Sequence, residues 1–194
     1  MTSAVKILLI TTIASFLLTA GAEEGLIASL ALWPLQAGFM PWQPVTYAFL
    51  HGNLMHLAFN MYGLWMFGTE LENILGKRTF LKLYFASVLS AAAMQLLVND
   101  ISGNMVPTVG ASGGVFGLLL AYGLLFPNRK LMLLFFPVPI SAWVFVAIYA
   151  AIELTLGVTG VQMEVAHFAH IGGMIGGYLV IRQWRRQRRD RRWY

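Results

Sequence analysis

Four histidines, one asparagine and a serine embedded in glycine are the residues of this chain whose types and spacing could do chemistry. They are His51, His56, Asn60, Ser112, His167 and His170, and the serine stands in Gly110-Ala111-Ser112-Gly113-Gly114. A serine hydroxyl becomes a nucleophile when a base takes its proton, and a neutral imidazole titrating near pH 7 suits that task. His56 and Asn60 are four residues apart, hence on one face of a helix. Each can donate a hydrogen bond, as an oxyanion hole requires, together with the backbone N–H of Ser112. The plainer alternative for this pair is a satisfied hydrogen bond between helices. His51 falls off that face, and its expected role is structural, bracing the connector 23–52. The chain has no cysteine, which removes thiol nucleophiles, disulfides and thiolate metal sites together. His167 and His170 could join His51 or His56 around zinc. However, there is no His-Glu-x-x-His helix and no acid beside the pair in sequence, so neither a metal nor another cofactor is expected.

The elements that must carry these groups are membrane helices. Of 194 residues, 58% are hydrophobic and 11% charged, against about a quarter charged in soluble domains. Apolar stretches at 5–22, 53–75, 79–98, 112–126, 131–156 and 167–182 read as six spans. Seven of the thirteen Lys and Arg lie between Arg182 and Tyr194. The remainder of the chain carries net charge −1, which excludes a basic nucleic-acid groove over its body. Lys77, Arg78, Lys82, Arg129, Lys130 and the arginine tail all fall on one side of a six-span path. By the positive-inside rule that side is cytoplasmic, with both termini inside and connectors 23–52, 99–111 and 157–166 outside. The expected organisation is a six-span domain over 1–182 and a basic cytoplasmic tail over 183–194 lying against anionic headgroups. Lys6, the apolar run that follows and Ala20-Gly21-Ala22 also fit a signal peptide, but the six-span count favours a retained first span.

On this topology spans two, four and six begin toward the outer face, which gathers the four histidines, Asn60 and Ser112 in the outer half of the membrane. Polar groups at such depth are costly unless they face protein or water. Span four is short, 15 residues or about 22 Å against an apolar core of about 30 Å. Its N-terminus, with Ser112 on it, is therefore submerged and presents unpaired N–H groups. Gly113 with Gly117, Gly172 with Gly176 and Gly173 with Gly177 have the spacing of helix-packing pairs. That packing would also let spans four and six approach closely enough for Ser112 to meet His170. Glu153 is expected to reach the interface, with a proton relay as the lesser alternative. The nearest acid to His170 in sequence is Glu164, so the imidazole is expected to lack an orienting carboxylate.

The chain resembles the rhomboid family of intramembrane serine proteases over essentially its whole length. The resemblance rests on His51-x4-His56-x3-Asn60, Gly68-x3-Glu72-x3-Gly76, Gly110-x-Ser112-Gly113 and Ala169-His170-Ile171-Gly172-Gly173 in order on the spans. It implies an all-α six-helix bundle with a short central fourth helix. It further implies Ser112 as nucleophile, His170 as base and then acid, His56 and Asn60 as oxyanion donors, and Glu72, His51, Gly110 and Gly113 as structural residues. Two positions depart from the family pattern. Gln43 follows Trp42 where an arginine is frequent, and Phe116 stands where some members stack a tyrosine under the base. His167 is expected to support the site. The expected function is hydrolysis of transmembrane protein substrates near the outer face of the plasma (inner) membrane by a Ser-His dyad. An inactive client-binding relative and a small transporter are the alternatives. Substrate entry between spans two and five is implied by the resemblance alone, and the oligomeric state is left open.

Overall fold

A computed structural model of the chain describes residues 1–21, 24–132, 138–160 and 166–190. It is mostly helical, and the six expected spans correspond to α1 (Ser3–Thr19), α4 (Leu54–Leu75), α5 (Lys77–Ser102), α6 (Ser112–Leu125), α7 (Ala142–Thr159) and α8 (His167–Asp190). The connector after α1 holds α2 (Glu24–Leu30), α3 (Gln43–Thr46) and a 3-10 turn, Tyr47–Phe49. Among the described residues, α5 and α7 alone are long and apolar enough by themselves to cross a bilayer, while α1 and α6 are apolar but shorter. Large apolar side chains nevertheless face outward on many helices. Ile10, Leu18, Phe59, Leu97, Ile148, Val158 and Leu179 are 46 to 78% exposed, more apolar surface than a soluble monomer leaves in water.

The fifth span differs from its expected bounds. The helix does not begin at 131: β1 (Lys130–Met132) pairs antiparallel with β2 (Pro139–Ser141), Lys130 opposite Ser141. Pro139 lacks an N–H and resists a helix interior, so α7 starts only at Ala142, whose N–H donates to the Arg129 carbonyl at 2.8 Å. At the other end of the chain, α8 runs unbroken to Asp190. The boundary expected at 182 thus falls inside a helix, because Arg and Gln are good helix formers and nothing after Arg182 stops it.

The short α6 lies at the centre, in contact with α4, α5, α7 and α8. Glycine makes this possible. A Cβ added at Gly173 would collide with the backbone of Gly113, and one at Gly177 would come 2.6 Å from the Gly117 carbonyl oxygen. On the adjoining face of α8, a Cβ at Gly172 would lie 2.8 Å from the Ser90 carbonyl oxygen, and one at Gly176 2.5 Å from that of Ala86. α8 thereby presents one glycine pair to α6 and the other to α5, with backbones nearly touching.

Gly68 and Glu72 dock α1. The buried Glu72 carboxylate accepts from the N–H groups of Ala4 at 3.0 Å and Val5 at 2.9 Å, and from the Ser3 hydroxyl at 3.4 Å. An anion at a helix start satisfies N–H groups that have no helical acceptor. A Cβ at Gly68 would meet Val5 at 3.0 Å, and Gly76 ends α4 with φ 78°.

Candidate active site

Ser112 opens α6. The first helical bond there runs from the Val115 N–H to the Ala111 carbonyl at 3.0 Å, so the N–H groups of Ser112, Gly113 and Gly114 have no acceptor within the helix. The preceding segment is pinned to the first connector. Leu32 and Thr108 exchange backbone hydrogen bonds of 3.0 and 2.9 Å, and the Gly110 N–H donates to the Tyr47 carbonyl at 2.9 Å. The Tyr47 hydroxyl in turn donates to the Val88 carbonyl on α5 at 2.9 Å.

His170, on the first turn of α8, places Nε2 2.8 Å from Ser112 Oγ. Its imidazole stacks on the Phe116 ring, with centroids 4.2 Å apart and planes 7° from parallel. Phe116 lies one turn after Ser112 on the same helix, so a single element supplies both the hydroxyl and the plate under the imidazole.

On the other side of the serine, Gly110 has φ 128°, a backbone state that side chains other than hydrogen rarely adopt. A Cβ there would fall 2.8 Å from His56 Nε2 and 3.8 Å from Ser112 Oγ. His56 and Ser112 therefore flank one small space that the absent side chain of Gly110 leaves open. Gly113 is constrained differently: a Cβ on it would collide with Ala91 of α5. Asn60 is buried, and its amide donates to the His56 carbonyl at 2.9 Å, which leaves one further amide N–H. His51 meets the His56 ring edge-on at 4.9 Å, and its Nε2 accepts from the Ala111 N–H at 3.5 Å. Burial first, then the neighbouring His56, pushes the His51 pKa down to about 4, so near neutral pH it carries no charge and can accept that bond. What His51 braces is the approach to Ser112 as well as the end of the connector.

Comparison with known proteins bears on this arrangement. The model of the Rhomboid domain matches residues 38–186. The chain belongs to the rhomboid family. It is 36% identical over 137 residues to Rhomboid protein 1, mitochondrial, of Saccharomyces cerevisiae, covering 68% of this chain and 38% of that protein. Against the Rhomboid protease GluP of Bacillus subtilis the identity is 31% over 160 residues, covering 81% and 27%. Against the human Presenilin-associated rhomboid-like protein, mitochondrial, it is 31% over 130 residues, covering 66% and 34%. The chain thus spans between a quarter and two fifths of the length of these relatives. Membership makes it an integral membrane protein.

Two features of this rhomboid chain go beyond the sequence expectations, and the first overturns one. Glu153 does not reach an interface. It is 7% exposed, and Oε2 lies 2.8 Å from His170 Nδ1 and 2.7 Å from His167 Nδ1. The imidazole therefore does have a carboxylate behind it, whereas Glu164 lies outside the described residues. The signal was present in span five: Ala142, Val146, Glu153 and Gly157 form one stripe at helical spacing. A Cβ at Gly157 would lie 3.1 Å from the Phe168 ring of α8, and one at Gly123 of α6 2.7 Å from the Val146 side chain, so this stripe is the face α7 turns toward α6 at one end and α8 at the other. The second feature is Gln43, almost fully buried. Its Oε1 accepts from the N–H groups of Trp33 at 3.2 Å and Met40 at 3.1 Å, and its amide donates to the Ser29 carbonyl at 3.4 Å. It organises the connector by hydrogen bonding, without a charge.

Glu153, His167 and His170 are close enough to suggest a metal centre, but the two separations of 2.7 and 2.8 Å are hydrogen-bond lengths. Ligand atoms around a tetrahedral zinc stand about 3.3 Å apart. The cluster is a hydrogen-bonded one.

Proposed function

We propose that the chain is an intramembrane serine endopeptidase that cleaves transmembrane segments near the outer face of the membrane. The observation that carries this reading is the 2.8 Å contact between His170 Nε2 and Ser112 Oγ at the mouth of a helix whose first N–H groups are free. Ser112 attacks the scissile carbonyl while His170 Nε2 takes its proton. The carbonyl oxygen becomes an anion facing the Ser112 N–H, His56 and the second Asn60 amide N–H. The C–N bond then breaks, His170 protonates the leaving amine, and water, deprotonated by the same imidazole, releases the acyl group. Loss of one oxyanion donor costs about 2.7 to 4 kcal/mol in the transition state.

The proposed setting is six spans with both termini cytoplasmic in the plasma (inner) membrane, since every Lys and Arg falls on one side of that path. Substrates are transmembrane helices that unwind locally to bare a carbonyl. An inactive binding relative would have no need to keep a serine and an imidazole in hydrogen-bond contact. A fluorophosphonate probe tests the reading: the wild-type protein in detergent is labelled at Ser112, and His170→Ala is not. Labelling elsewhere, or labelling undiminished in His170→Ala, contradicts it.

A further inference from the structure

We propose that Glu153 is a positioning residue for catalysis, the third member of a Ser112–His170–Glu153 triad in which His167 holds the carboxylate. This rests on the serine-protease reading and extends it from two residues to four.

Glu153 is isolated on its helix. Its neighbours on α7, Ile152 and Leu154, are 45% and 52% exposed and apolar, and in the outer half of α7 Glu153 is the only buried residue. A carboxylate so placed is costly unless it is hydrogen-bonded, and its Oε2 receives the Nδ1 atoms of two histidines. An ionised carboxylate only accepts. His170 Nδ1 must then carry the ring proton, and Nε2 is left with the lone pair that faces Ser112 Oγ. That is the one tautomer able to act as a base toward the serine. The Phe116 plate fixes the plane of the imidazole, but a stacked ring can still turn within its plane or exchange tautomers. Glu153 removes both freedoms.

During acylation the Oγ–H proton moves to His170 Nε2 as the Oγ–C bond forms. The Nδ1–H bond stays intact and donates to Oε2, and the carboxylate remains unprotonated beside the imidazolium. His167 donates its own Nδ1–H to the same oxygen. The second donor keeps Oε2 at the height of His170 although the carboxylate is carried by a different helix.

The test compares wild type, Glu153→Gln and Glu153→Asp by the kinetics of fluorophosphonate labelling and by cleavage of a single-span substrate. Gln presents an amide that can donate to Nδ1 and so favours the wrong tautomer. The second-order labelling rate constant and kcat are expected to fall together by about 10² to 10⁴-fold, the scale seen when a triad carboxylate becomes an amide, with KM within threefold. Asp is expected to recover at least tenfold of that loss. The final labelled fraction reports folded protein separately. If Gln lowers that fraction, the rate constant of the fraction still labelled decides the matter. A Glu153→Gln rate constant within threefold of wild type overturns the proposal while leaving Ser112 and His170 in place. Loss of labelling at Ser112 in the wild type would instead overturn the protease reading.

Discussion

At the residue scale, what distinguishes this site is how little freedom each group retains. Ser112 is fixed by a helix start, His170 by a ring on one face and a carboxylate at its far nitrogen, and His56 by the space Gly110 vacates. The consequences can be measured one residue at a time. Gly110→Ala must place a methyl between His56 and Ser112 in an unfavourable backbone state, and kcat/KM is expected to drop at least tenfold. Gly160→Ala, also at positive φ (69°) but with nothing among the described residues within 4 Å of the added Cβ, costs about 1 to 2 kcal/mol of backbone strain and should leave kcat/KM within threefold. A similar loss of activity in both would mean that strain, and not the space beside Ser112, is the cause. His167→Ala removes one of two donors to Glu153 Oε2. A fall in labelling rate smaller than that of Glu153→Gln is expected, and a larger one would place His167 nearer the chemistry than Glu153.

At the element scale, glycine and a few buried polar groups decide which helices meet. Ser112, His170, His56 and Asn60 were legible as a group because their types are rare in apolar spans and the six-span path expected from the sequence puts them at one depth. The carboxylate was not, because Glu153 precedes His170 by seventeen residues on the neighbouring antiparallel helix, and counting along the chain points to Glu164 instead. Reading which stripe of span five is least suited to lipid, namely Ala142, Val146, Glu153 and Gly157, would have found it. The late start of α7 was likewise hidden, since residues 131–141 are apolar enough for a span and only Pro137 and Pro139 argue against a helix there. Glu72 ties two elements together by charge. Glu72→Gln keeps the shape but weakens bonds to two N–H groups and a hydroxyl, and a destabilisation of about 1 to 3 kcal/mol is expected in reversible unfolding in mixed micelles. A Glu72→Gln protein as stable as wild type would mean that α1 is held by apolar packing alone.

At the scale of the whole molecule, the proposed function gives the sparse charge the task of orienting the bundle and the uncharged polar residues that of reacting. The absence of cysteine makes the proposed orientation open to a clean test. Single cysteines at Asn104 and at Arg129 should differ in reaction with an impermeant maleimide on intact cells: Asn104→Cys is labelled directly, and Arg129→Cys only after permeabilisation. The opposite pattern would invert the topology and move Ser112 toward the cytoplasmic face. The central claim is that this bundle breaks peptide bonds within the membrane with Ser112. It is tested most directly by proteoliposomes that hold the purified protein and a single-span substrate, with products identified by mass. Wild type should yield two fragments cut near the outer end of the substrate span, and Ser112→Ala none above background. Equal cleavage by Ser112→Ala would contradict the account.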